Sequence, residues 1–157
     1  MLLVNDVYSY GRRNFRILWR DADLVYWIDI DSKNALPEPI KQVELISLLE
    51  NQTIRYISDP HERFAISPSS QESKWGKNIQ AEGWLMISPY VQQEPEIYLR
   101  AELGKMIQLI LATHNTTKQT VYAKLRAYWQ KGKSPNCLYP DTRKNGGAGK
   151  TKSAGLK

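Results

Sequence analysis

One stretch decides how the chain is organised: NTTKQTVYAKLRAYWQKGK, residues 115–133. It reads as a single amphipathic helix with recognisable ends. Either Thr116 or Thr117 can cap the start, because a threonine hydroxyl accepts a hydrogen bond from an unpaired amide in the first turn. Gly132 follows the last apolar residue and supplies a stop. The pattern therefore predicts a helix over about residues 117–130.

The two faces of this helix differ in character. Val121, Leu125 and Tyr128 recur at i, i+4 and i+7, so they share one face, which we expect to be buried. The opposite face suits DNA, because Gln and Arg can bond base edges, Thr and Ala can contact a thymine methyl, and Lys can neutralise phosphate. From this helix alone, an ordinary amphipathic surface helix with a solvated basic side is an equally good interpretation. The predicted DNA-contacting residues of the helix and its exit are Thr117, Lys118, Gln119, Thr120, Tyr122, Ala123, Lys124, Arg126, Gln130, Lys131 and Lys133.

The distribution of charge decides between these two interpretations. The net charge of the chain is +6, yet residues 1–66 hold 8 Lys or Arg against 10 Asp or Glu, and residues 67–114 hold 4 against 5. Residues 115–157 hold 10 basic side chains against a single acidic one. A basic block on an otherwise slightly acidic chain indicates a polyanionic partner bound by one end, since phosphate neutralisation releases counterions. Nucleic acid is the expected partner.

Several other classes of protein are disfavoured by composition. A single cysteine, Cys137, permits no internal disulfide, and the two histidines, His61 and His114, lie too far apart to suggest a local metal motif. We therefore expect no cofactor. No run of roughly 18 apolar residues predicts a membrane helix, and the opening apolar stretch lacks the form of a signal peptide. The sequence predicts a cytoplasmic protein that does not bind membranes.

The residues before this helix predict an α+β chain. Residues 1–66 alternate in strand fashion over 3–10, 15–20 and 24–30, followed by a short helix over 40–50 and a last strand over 53–57. We expect a small antiparallel β-meander or half-barrel covered locally by its one helix. Residues 67–134 are expected to form an all-α helix-turn-helix domain, with one helix over 71–86, stopped by Ser88 and Pro89, and another over 94–113.

Residues 135–157 change character and read as a basic, Gly-rich, flexible linker. Such a segment can lie along a phosphate backbone or enter a minor groove, and the alternative is a plain solvated linker. The residues of this tail predicted to contact DNA are Arg143, Lys144, Lys150 and Lys152.

The stretch TVYAKLRAYWQKGKSPNCLYPD, followed by NGGAGK, resembles the DNA-binding region of TnsB-type transposases, and the FRILW and VYWIDI strands resemble the β-rich start of the same proteins. This resemblance implies binding of double-stranded DNA at transposon end repeats, in company with other transposase protomers and transposition proteins, in the bacterial nucleoid. It also implies a magnesium-dependent catalytic domain with an Asp/Asp/Glu triad elsewhere. Only one carboxylate, Asp141, follows residue 102. We therefore expect a DNA-binding piece that is not itself an enzyme.

A second hypothesis assigns the chain to a different class. In it the β-rich part is a docking surface for another transposition protein, and the basic tail only keeps the chain in solution. The acidic balance of residues 1–66 favours this role for the β-rich part over direct DNA binding.

Overall fold

The computed structural model describes residues 2–65 and 73–140 and shows an α+β fold, as the sequence predicts. The strands are β1 (Val7–Tyr10), β2 (Arg13–Arg20), β3 (Leu24–Asp29), β4 (Glu38–Lys41) and β5 (Ile54–Ile57). The helices are α1 (Gln42–Glu50), α2 (Lys74–Val91), α3 (Arg100–Thr113) and α4 (Lys118–Lys131). Three short 3₁₀ turns lie at Glu62–Ala65, Glu96–Tyr98 and Pro135–Leu138.

The five strands form one antiparallel sheet in the order β4-β3-β2-β1-β5. The predicted meander is present, and β5 closes it by pairing with β1, where Val7 lies opposite Ile57. Strand β4 is absent from the prediction because Pro39 lies in its middle. A proline donates no hydrogen bond and is tolerated on an edge strand, which is the position that β4 occupies.

Both faces of the sheet are covered, which explains why residues 15–18 are buried in succession rather than in alternation. One face carries Phe15 and Trp27, and Leu45 of α1 packs in the same cluster. This helix is the local cover that the sequence predicts. The other face carries Leu18 and Ile28, and the three later helices cover it.

The larger core therefore joins the β-rich part to the helical part. Leu18 and Ile28 of the sheet share one apolar cluster with Ile107 of α3 and with Val121 and Trp129 of α4. The length and composition of the chain allow one ordinary core or two small ones and favour two, whereas the structure places residues of both parts in the larger cluster. The proposed boundary after residue 66 lies outside the described residues, so the division into 1–66, 67–134 and 135–157 stays a prediction. The first residues of the predicted flexible linker are folded, because Pro135–Leu138 form a 3₁₀ turn in which Cys137 and Leu138 are buried.

Two predicted helix boundaries are wrong. Helix α2 continues through Pro89 to Val91, because a proline near the end of a helix removes one backbone bond while the last turn still buries Val91. The helix expected over 94–113 is instead a 3₁₀ turn followed by α3. The apolar pattern over 94–113 predicts that Leu99 is buried, but Leu99 has extended backbone angles between the two elements and is 48% exposed.

Candidate nucleic-acid interface

Helix α4 begins and ends as the sequence predicts. The Thr117 hydroxyl accepts a hydrogen bond from the Thr120 amide at 3.2 Å, so Thr117, rather than Thr116, is the cap. Gly132 ends the helix at a φ of 133°, a backbone conformation in which any side chain would be strained, and its amide bonds the Tyr128 carbonyl. Residues 114–117 link α3 to α4, which is the length of connection that a helix-turn-helix uses.

One face of α4 is buried against the rest of the protein. It carries the predicted Val121, Leu125 and Tyr128, together with Trp129, which is fully buried and contacts Tyr98 at a ring separation of 5.9 Å. The helix is consequently fixed in rotation about its own axis. Its outward face is determined by the core.

The first half of α4 presents its outward side chains to solvent. Lys118, Gln119, Thr120 and Ala123 are all exposed. Recognition helices of helix-turn-helix proteins contact base edges with their N-terminal residues, so this half has the required accessibility and chemistry. The exposure of Gln119 and Ala123 agrees with their predicted orientation.

The second half of α4 is enclosed on one side by the loop between β3 and β4. Arg126 donates from Nε to the Ala35 carbonyl at 2.9 Å, and Gln130 donates from Nε2 to the carbonyls of Asp29 and Ser32 at 2.9 and 2.7 Å. Burial lowers the pKa of Arg126. The sequence places both side chains on an open polar face, whereas the structure gives them backbone acceptors in the β-rich part.

The lysines at the C-terminal end of α4 and just after it also make contacts within the protein. Lys133 donates from Nζ to the Leu18 carbonyl and to the Glu94 carboxylate, both at 2.6 Å, and its side chain is only 12% exposed. The Lys131 ammonium lies 5.1 Å from the centre of the Phe64 ring. Lys124 is half-buried and its aliphatic stem packs near Gly83 of α2. The prediction that Lys133 is displayed to phosphate does not agree with these contacts.

A buried arginine holds the C-terminal end of α4 to the sheet. Arg16 of β2 has no exposed surface, and its Nε donates to the Gln130 carbonyl at 3.1 Å. Its two terminal nitrogens bond the two Asp59 carboxylate oxygens at 2.9 and 2.6 Å. Burial alone would raise the pKa of Asp59, but the bonds from Arg16 and from the His61 amide hold it below its ordinary value. Sequence alternation identifies Arg16 as a strand residue and gives no sign of this role.

An open groove of about 320 Å³ lies on the other side of α4. Trp75 and Ile79 of α2 line it opposite Thr120 and Ala123 of α4. Trp75 is 60% exposed and lies between two exposed lysines, Lys74 and Lys77. These three residues are not among the predicted DNA contacts, and the sequence pattern that points to them is an aromatic residue between basic ones, in KWGK.

Arg143, Lys144, Lys150 and Lys152 lie outside the described residues. Within residues 2–65 and 73–140, no helix has the length and hydropathy that crossing a membrane requires. The same two ranges contain no cluster of three or more side chains that could hold a metal ion.

The class of the protein follows from two family models, which match the sheet and the helical part in the same order along the chain. The model of the TnsB N-terminal SH3-like domain matches residues 1–60, and that of the TnsB second domain matches residues 80–141. The chain belongs to the TnsB family of transposases and represents its N-terminal region, which confirms the resemblance noted in the sequence.

A particular relative gives the same assignment. The chain is 28% identical over 154 residues to the Transposon Tn7 transposition protein TnsB of Escherichia coli. The similarity covers 98% of this chain and 22% of that protein, so the chain spans roughly a fifth of the length of the relative it matches. No catalytic domain is among the two matched domains.

Proposed function

We propose that this chain binds double-stranded DNA in a sequence-specific manner, at the end repeats of a transposon, and that the first half of α4 enters the major groove. One observation carries this proposal: on the first half of α4, the side chains that the described part of the chain leaves exposed are Gln119, Thr120 and Ala123 with the flanking Lys118. The opposite, apolar face is fully used in packing. The family assignment supports the same function, because the relative that matches this chain is a transposition protein by name.

The exposed residues divide by chemistry into two roles. Gln119 presents an amide that can bond adenine at two atoms, and Ala123 is small enough to let the helix backbone approach the floor of the groove. Lys118 and the basic tail, including Lys150 and Lys152, supply phosphate contacts that add affinity without sequence preference. Arg126 and Gln130 act mainly by positioning the β3–β4 loop.

A binding-site selection with the whole chain, followed by titration of Gln119→Ala, tests the role of α4. We expect this change to weaken the selected site by about 1–3 kcal/mol, or about 5- to 150-fold, because it removes a base contact. Affinity for random DNA should be almost unchanged. The measurement is an equilibrium gel shift at one fixed salt concentration.

Gln108→Ala is the matched control, since Gln108 is an exposed glutamine on α3. It should leave both affinities as they are. An equal loss on selected and random DNA for Gln119→Ala would refute its base-reading role. Failure of the selection to enrich any sequence would refute specific binding itself.

We propose that the rest of the transposition reaction belongs to other parts of a longer protein. We propose that strand transfer, with its requirement for magnesium, resides in a catalytic domain beyond this chain. We further propose that the chain places that domain at the transposon end and acts beside other transposase protomers on the bacterial nucleoid.

A second candidate function is docking of another transposase protomer on the α1 side of the sheet. An open groove of about 740 Å³ lies there, with Tyr10, Phe15 and Trp27 among its lining residues. Phe15 and Trp27 stack at a ring separation of 4.4 Å, and Tyr10 is 37% exposed beside them. Arginines and glutamates also line the groove, which favours a peptide of mixed charge with apolar anchors.

Tyr10→Ala separates this second function from DNA binding. We expect the variant to keep its affinity for the selected DNA within about twofold, because the groove lies on the side of the sheet away from α4. Cross-linking between chains on DNA carrying several sites should fall, since an aromatic anchor is lost. Unchanged cross-linking would argue against docking at this groove.

A further inference from the structure

We propose that the β3–β4 loop, residues 30–37, is a second DNA-binding element, which contacts the phosphate backbone beside the major groove entered by α4. This inference rests on the proposed function and adds to it a part of the β-rich region. The sequence gives that region an acidic balance and no DNA-binding role.

The loop is held directly by the helix that we assign to DNA. Three hydrogen bonds from Arg126 and Gln130 end on backbone carbonyls of Asp29, Ser32 and Ala35. These partners are 91 to 101 residues apart in sequence. Since the Gln130 carbonyl is bonded in turn by the buried Arg16, the loop, the helix and the sheet form one connected unit.

The position of these bonds places the loop beside the surface that faces DNA. Gln119, Arg126 and Gln130 follow one another at i, i+7 and i+11, so they lie along a single stripe of α4. At 1.5 Å per residue, Arg126 is about 10 Å further along the helix than Gln119. The major groove is about 12 Å wide, which is close to this rise along the helix. When Gln119 lies in the groove, the loop beside Arg126 therefore lies next to the DNA phosphate backbone at the edge of the groove.

The chemistry of the loop suits phosphate. Lys33 and Asn34 are exposed, and among residues 2–65 and 73–140 the Lys33 ammonium has neither an ion-pair nor a hydrogen-bond partner. The acidic residues nearby are engaged at the base of the loop. Asp31 accepts a hydrogen bond from Asn14 at 3.3 Å, and Asp29 lies 4.0 Å from the Arg13 guanidinium.

The competing explanation is that the loop only fastens the sheet to the helices. That role requires the backbone carbonyls but has no use for the exposed side chains at the tip. Replacing the tip side chains therefore separates the two explanations without disturbing the fold.

The first experiment compares Lys33→Ala with Lys41→Ala on the selected DNA over a range of salt concentrations. Loss of one phosphate contact should weaken binding to all sequences and reduce the salt slope by about one. Lys41 is the matched control, because it pairs with Leu24 at the far end of β3, about 17 Å from the end where the loop leaves. Equal salt slopes for Lys33→Ala and the unaltered chain would overturn the inference.

The second experiment locates the β3–β4 loop on the DNA directly. The one native cysteine, Cys137, is buried, so Lys33→Cys introduces a single accessible thiol that can carry an iron chelate for cleaving nearby DNA. Asn115→Cys, in the exposed turn before α4, serves as the reference for the position of the helix. We expect Asn115→Cys to cut within the protected site and Lys33→Cys to cut the backbone at its border.

The outcomes distinguish this inference from the proposed function. Cutting from Asn115→Cys without cutting from Lys33→Cys would overturn the loop contact and leave α4 in the groove. Specific binding without cutting from either variant would overturn both placements. Absence of any selected site would refute the proposed function itself.

Discussion

Replacing Asp59 by alanine is expected to lower the free energy of unfolding by about 3 kcal/mol, because it leaves a buried guanidinium without its carboxylate. Arg16 has no exposed surface and bonds both Asp59 oxygens. The remaining bonds of Arg16, to the carbonyls of Asn5 and Gln130, cannot neutralise its charge. Chemical denaturation with the whole chain measures the loss.

Two further variants show whether the loss comes from this ion pair. Asp23→Ala removes an exposed aspartate from a turn of the same sheet and should change the free energy of unfolding by less than about 0.5 kcal/mol. In the double variant Arg16→Met with Asp59→Ala, the charge itself is removed, so we expect part of the stability to return. A double variant that is less stable than Asp59→Ala by the full cost of Arg16→Met alone would contradict the proposed coupling.

The same pair has a defined pH dependence. The pKa of Asp59 is lower in the folded protein, so its stabilisation is present above its unfolded pKa of about 3.9 and is lost as the pH falls through the folded value. Burial, reinforced by Arg16, also lowers the pKa of His61, so stability falls below about pH 6.5 as the unfolded chain takes up that proton. Asp59→Ala should remove the first of these two dependences. If Asp59→Ala lost as much stability at acid pH as the unaltered chain does, that loss would have to come from other carboxylates.

Trp129→Ala is expected to cost about 3–5 kcal/mol, because it leaves a large cavity where the sheet and the helices share a core. Trp129 is fully buried in the cluster that also holds Leu18 of β2 and Ile107 of α3. Its loss should therefore destabilise both parts together. Unfolding followed by far-ultraviolet circular dichroism and by tryptophan fluorescence should give coincident transitions, before and after the change.

Trp75→Ala is the matched control for this variant. Trp75 is 60% exposed at the start of α2, so its removal should cost less than about 1 kcal/mol. Two separate transitions in Trp129→Ala, with the sheet signal unchanged, would show that the β-rich part does not depend on the shared core.

Much of the fold follows from local sequence. Strands β1, β2, β3 and β5, helix α1 and the extent of α4 were predictable because alternation, threonine capping and a terminal glycine act over a few residues. The same holds for the first half of α4, where the buried positions of Val121 and Leu125 oblige Gln119 and Ala123 to face outward. These features need no knowledge of distant residues.

Other features depend on partners that are distant in the chain. Helical spacing gives Gln119 and Gln130 the same outward stripe, yet only Gln119 is open, because the carbonyls of Asp29 and Ser32 reach Gln130. Lys133 likewise bonds the Leu18 carbonyl, which is 115 residues earlier. No local pattern encodes such contacts.

The sequence by itself determined which segments are helix or strand and which end of the chain is basic, since periodicity and charge are local properties. The tertiary structure alone decided which polar side chains of α4 remain available to a partner. The β-rich part packs against the helix, and the backbone carbonyls of the β-rich part need hydrogen-bond donors. Arg126, Gln130 and Lys133 supply those donors. The polar surface of α4 that remains exposed to a partner is therefore its first half, together with the residues next to it.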